Sequence, residues 1–178
     1  MKIFLLLGLI SFLSWSEEMP HGLIKEINAQ SQINNRESVK NQNWRLLVSG
    51  ISRGEPEWLR TIPQFAAQLS TEQQHEIMNA LGNALIHNPV DTLNILPDIS
   101  KTLDGSGIDL YRWDYLCVGL VMDYTRESAY RYYATAMEAL KQSGEQGREC
   151  LTLMQEGLNE IEQDERRGKV HWGQKIWP

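Results

Sequence analysis

The sequence predicts an all-α protein of stacked helical hairpins, arranged as a short α-solenoid or as an irregular bundle, and held by one disulfide. Three observations point there. Between residues 43 and 99, apolar side chains recur at helical spacing, with proline and glycine punctuation between the runs. Leu59 and Leu93 lie 34 residues apart inside similar proline-bounded segments, a period suited to a helix–turn–helix unit stacked on its copy. Two cysteines, Cys117 and Cys150, fall in two separate helical patterns behind an export signal.

Trp44, Leu47, Val48 and Ile51 stand at i, i+3, i+4 and i+7, one face of a helix that Arg53-Gly54 ends. Pro56 suits the first position of the next helix, where its missing N–H has no intrahelical partner. Trp58, Leu59, Ile62, Phe65, Ala66 and Leu69 continue an apolar stripe that Pro63 must kink or split. Ser70 or Thr71 caps the following helix, with Gln73 or Gln74 completing a capping box, and Ile77, Ala80, Leu81, Ala84 and Leu85 form its buried face. Asn88-Pro89 repeats the cap-and-proline signal, and Leu93, Leu96 and Pro97 echo Leu59, Ile62 and Pro63. Two copies are fewer than a solenoid usually needs, so solenoid and bundle both stand.

Lys2 precedes an apolar run over residues 3–13, the size of a signal-peptide core and too short to span a bilayer. Ser14-Trp15-Ser16 supplies a small-x-small cleavage site, so residues 1–16 read as a signal peptide and the bacterial periplasm as the destination. No cysteine follows the run to carry a lipid, and no other stretch is apolar and long enough to span the membrane. Cleavage removes Lys2 and takes the formal net charge from −6 to −7. That balance argues against a nucleic-acid partner, which calls for a basic surface. Residues 54–100 carry Glu55, Glu57, Glu72, Glu76, Asp91 and Asp98 against Arg60 alone, a solvated helix surface or a face for a basic partner.

In an oxidising compartment two cysteines in a small protein imply a bridge, here Cys117 to Cys150. Closing that loop contributes roughly 3–4 kcal/mol on the chain-entropy account. A catalytic thiol would need a histidine or Cys-x-x-Cys context, which the sequence does not supply.

The remaining order is a leader over residues 17–42, rich in Gln, Asn, Glu and Ser, with a loose helix around Leu23 to Ile27 as the alternative to a mobile segment. A single all-α domain follows over 43–166, and an aromatic tail over 167–178. Within the domain, Asp104-Gly105-Ser106-Gly107 reads as a loop, and a short helix over 112–122 buries Leu116, Cys117, Leu120 and Val121. A helix from Thr125 or Arg126 buries Ala129, Tyr132, Tyr133, Ala136 and Leu140 until Gly144 breaks it. The last, over 146–166, buries Cys150, Leu151, Met154, Leu158 and Ile161.

The sequence carries no complete catalytic constellation. His75-Glu76-Ile77-Met78-Asn79 approaches the zinc-protease pattern, but Asn79 stands where the second imidazole must be. Gly105-Ser106-Gly107 is not a nucleophile elbow, Asp104 and Asp109 are too few for a calcium loop, and no phosphate cradle or dinucleotide fingerprint occurs. The acids Glu160, Glu162, Asp164 and Glu165 sit together at a helix end as a solvated run. No metal or cofactor is expected. Aromatic residues concentrate over 111–133 and in the tail, where Trp172 and Trp177 lie on a segment without helical period. Trp172, Trp177, Tyr111 and Trp113 are therefore the candidate partner-binding residues. The tail either folds back over the helices or engages a partner.

The segment from Trp44 to Pro97, with Gly54-Glu55-Pro56-Glu57-Trp58-Leu59 and His87-Asn88-Pro89, resembles a set of small exported helical proteins of proteobacteria that carry a later two-cysteine region. That set has no activity to carry over. In layout the chain is also similar to periplasmic immunity proteins that block cell-wall-degrading effectors. The expectation is a non-catalytic periplasmic protein that binds another protein, in the manner of an immunity or inhibitor protein. The alternative is a protein that binds or cleaves cell-wall glycan.

Overall fold

The computed structural model describes residues 37–103, 113–118 and 123–177, together with Gly22 and Lys25. The signal segment 1–16, most of the leader, the loop 104–107, and residues 111, 120 and 121 lie outside the described residues. Those described are helical in the main, and the protein is all-α.

Helix α1 (Glu37–Ser52) starts inside the stretch 17–42. Its docked half buries Leu47 and Ile51, and once a helix is anchored each further residue adds a hydrogen bond, so good helix formers such as Glu37 and Lys40 extend it backward. Gly54, at φ +68°, turns the chain in the left-handed region that glycine enters without cost. Helix α2 (Pro56–Leu59) opens on proline, and α3 (Ile62–Phe65) follows after a break at Arg60-Thr61. The segment is split just before Pro63, which stands in the first turn of α3, and Thr61 Oγ1 donates to the Trp58 carbonyl at 2.6 Å at the break.

After a 3₁₀ turn over Ala66–Gln68, α4 (Thr71–His87) begins with the expected capping box: Gln73 N donates to Ser70 Oγ and Ser70 N to Gln73 Oε1. Asn88 caps α5 (Pro89–Thr102), its Oδ1 accepting from Asp91 N. Here the echo between the two halves fails. The segment of Pro63 is split, whereas α5 runs unbroken through Pro97, which projects to solvent while Leu93, Leu96 and Ile99 hold the other face in the core. Helices α6 (Trp113–Val118), α7 (Arg126–Gln142, capped by Thr125) and α8 (Arg148–Arg166) complete the domain.

The helices form a bundle around α4 rather than a linear stack. In a solenoid each repeat touches only its neighbours, but α4 packs on α1, α5, α6 and α7. Its sequence explains this: Ile77, Met78, Ala80, Leu81, Gly82, Ala84 and Leu85 are buried around much of its circumference. Cys117 on α6 is disulfide-bonded to Cys150 on α8, with Cα atoms 5.4 Å apart, and α7 packs against α8 beside them. Gly157 lets α8 approach α6 closely, since a Cβ there would lie 2.6 Å from Val118 Cγ1.

Candidate binding groove and the docked tail

Helices α1 and α4 cross with an open groove of about 620 Å³ between them. From α1 and the residue after it come Trp44, Arg45, Val48, Ser49, Ser52 and Arg53; from α4 come Glu76, Asn79, Ala80 and Asn83. The placement is a matter of helical period. Leu47 and Ile51 turn into the core, so Arg45, Ser49 and Arg53, spaced by four, share the neighbouring stripe. On α4, Glu76, Asn79 and Asn83 do the same beside Ile77, Ala80 and Ala84.

A set of hydrogen bonds pre-positions these groups. The Trp44 indole N–H donates to Glu76, bridging the two walls. Arg53 Nε donates to Glu55 at 2.5 Å, and its Nη1 to Ser49 Oγ at 2.6 Å. Arg45 is exposed and makes no ion pair among the described residues. One lining residue also meets the tail: Trp177 Nε1 donates to Asn83 Oδ1 at 2.9 Å.

The tail itself is a docked strap. α8 ends in a Schellman motif: Gly168, at φ +69°, donates to the Glu165 carbonyl, and Lys169 N to the Asp164 carbonyl, both at 2.9 Å. The chain then turns back along α7. Trp172 lies beside the Tyr130 ring and donates from Nε1 to Glu165 at 3.0 Å. Lys175 bridges in parallel to Tyr124, with Lys175 N on the Asp123 carbonyl and Thr125 N on the Lys175 carbonyl, and its Nζ meets Asp123 Oδ2 at 2.7 Å. Trp177 meets Tyr132 edge-on at 5.6 Å, and Arg131 lies over its indole while donating to its carbonyl.

Two electrostatic features accompany the strap. Glu165 accepts from Arg126, Tyr130 and Trp172, and the hydrogen bond from Arg126 above all holds its carboxyl down at about 2. Burial pushes the Tyr133 phenol up to about 12 and raises that of Tyr132 further, so both act as neutral donors. Tyr132 donates to the Gly82 carbonyl at 3.1 Å and Tyr133 to the Val118 carbonyl at 3.3 Å, tying α7 to α4 and α6.

Of the aromatic residues singled out in the sequence, Trp172 and Trp177 are half-buried in the strap, on different neighbours. Trp113 opens α6, with its side chain outside the described residues, and Tyr111 lies wholly outside them. Sequence reasoning missed the groove. Its signal was a polar stripe at spacing four on α1 and another on α4, but such stripes ordinarily face water. Of the near zinc motif, Glu76 and Asn79 line the groove while His75 is exposed outside its lining, and among the described residues no three His, Cys, Asp or Glu side chains gather as a metal site requires. Of the six acids of residues 54–100, three have side-chain partners: Glu55 is held by Arg53, Glu76 by Trp44 and Asp91 by Asn88. No described helix is long and apolar enough to cross a membrane. Comparison of the chain with protein-family models, with curated proteins and with solved structures finds no match.

Proposed function

We infer that this is an exported, periplasmic, non-catalytic protein that binds another protein, in the manner of an immunity or inhibitor protein, and that the α1–α4 groove receives the partner. The observation carrying this reading is the groove's lining. Trp44, Arg45 and Arg53 belong to the residue types that dominate interface energetics, and they stand at an open cleft whose walls are joined by the Trp44–Glu76 hydrogen bond. The Cys117–Cys150 pair favours an oxidising compartment such as the periplasm.

A photo-crosslinking residue in place of Ser49, on the groove wall, tests it against one in place of Gln142, at the exposed end of α7. In a periplasmic extract the first is expected to capture a discrete protein and the second not. Failure of both to capture anything, under any growth condition, overturns the reading. The second reading, binding or cleavage of cell-wall glycan, draws on the indole, amide and hydroxyl groups of Trp44, Asn79, Asn83 and Ser52, which suit sugars. Cleavage by two carboxylates finds only Glu76 in the lining. Co-sedimentation with purified peptidoglycan, or release of fragments from it, would move the choice to glycan.

A further inference from the structure

Internal hydrogen bonds have sorted the polar groups of the α1–α4 groove. Three acceptors are already engaged: one Glu76 carboxylate oxygen by the Trp44 indole, Ser49 Oγ by Arg53, and Asn83 Oδ1 by Trp177. Each of these oxygens keeps a further lone pair, so the three side chains still accept, and the surplus of donors in the groove comes from its arginines. With its carbonyl oxygen held by the tail, Asn83 offers the groove its Nδ2 hydrogens. Ser49 keeps its hydroxyl proton. Arg45 keeps a whole guanidinium, which donates and never accepts. The acceptors that remain are the second oxygen of Glu76, the further lone pairs of Ser49 Oγ and Asn83 Oδ1, and the ambivalent groups of Ser52 and Asn79.

Resting on the groove reading above, we propose that the partner enters this cleft with an acidic peptide segment. A glutamate or aspartate carboxylate pairs with Arg45, and main-chain carbonyls accept from Asn83 and Ser49. A guanidinium and a carboxylate match in shape as well as charge, through two parallel hydrogen bonds. A neutral sugar is the poorer occupant, because it brings no opposite charge to the Arg45 guanidinium. Trp177 is then a positioning residue: its N–H keeps the Asn83 oxygen turned away and the Asn83 nitrogen available.

The test is an NMR titration of the oxidised, ¹⁵N-labelled protein with a blocked hexapeptide of alternating glutamate and alanine. The same peptide with glutamine for glutamate and the N-acetylglucosamine trimer serve as comparisons. The glutamate peptide is expected to move the Asn83 side-chain amide and the Trp44 and Trp177 indole resonances. Binding should weaken roughly tenfold for the glutamine peptide, and by a similar factor in Arg45→Gln with the fold unchanged by circular dichroism. Trp177→Phe, which keeps a ring against Tyr132 but has no N–H, should weaken the peptide too while leaving the spectrum of α1 in place. No movement with the glutamate peptide, or equal movement with the glutamine peptide, overturns the acidic class. If the peptide is silent while the Ser49 crosslink still captures a protein, this inference falls and the protein-binding reading stands. If the sugar alone moves these resonances, both fall.

Discussion

Asn88 Nδ2 donates to the Gly54 carbonyl at 2.9 Å, so the residue that caps α5 also holds the turn that ends α1. The two punctuation points of the near repeat thus touch each other, 34 residues apart in the chain. Gly54 is pressed against Asn88 closely enough that a Cβ on it would lie 2.9 Å from Asn88 Cβ.

Replacing Asn88 by alanine removes both the cap on Asp91 N and the bond to Gly54. The loss should be about 1–2 kcal/mol, read as a lower urea midpoint with an unchanged slope. Asn88→Ser, which restores the cap but cannot reach as far, should recover part of it.

Reduction of the disulfide, or the double change Cys117→Ser with Cys150→Ser, should cost roughly 3–4 kcal/mol by releasing the unfolded chain. Denaturant unfolding with and without reductant measures this. The native protein should show no thiol reactive with iodoacetamide until it is reduced.

Gly50→Ala sets two effects against each other. Alanine gains about 1 kcal/mol of helix propensity. Its methyl, however, runs into the buried indole of Trp58, and overpacking of that kind costs about 1–3 kcal/mol. The atoms met are Trp58 Cγ, Cδ1 and Cδ2, close to the base of the side chain, so the net result should be destabilisation, seen as a lower thermal midpoint.

Acid should loosen the strap before it unfolds the bundle. The Glu165 carboxyl lies below its ordinary value of 4.5, at about 2. A carboxylate held low in the folded state contributes its full stabilisation above the ordinary value and loses it as pH falls toward the folded one. In the folded protein the Trp172 indole resonance should therefore shift as pH falls toward about 2. In Glu165→Gln that pH dependence should vanish, and Trp172 should be less protected at neutral pH as well.

Much of the architecture was legible because it rests on contacts within four residues. Ser70 with Gln73, Asn88 with Pro89, Thr125, and the glycines at 54 and 144 each fulfil a backbone requirement of their own turn. Gly168 gave the same kind of signal at the end of α8, and reading it would have placed the reversal that sends the tail back. Pro97 stands in the echo of Pro63 yet lies inside an unbroken α5, on the face opposite the buried Leu93, Leu96 and Ile99.

The amino-acid order alone determined that the protein is helical, where most helices begin and end, and that two cysteines lie on helices able to meet. Those are consequences of period, capping and backbone geometry, which act locally. Tertiary structure decided that α4 is the centre, that the polar stripes of α1 and α4 face one another across a cleft, and that Trp177 reaches Asn83. The physical reason is that a polar stripe or a tail tryptophan satisfies its own segment equally well in water or against a neighbour. Only the packing of the apolar faces, summed over residues far apart in the chain, chooses between them.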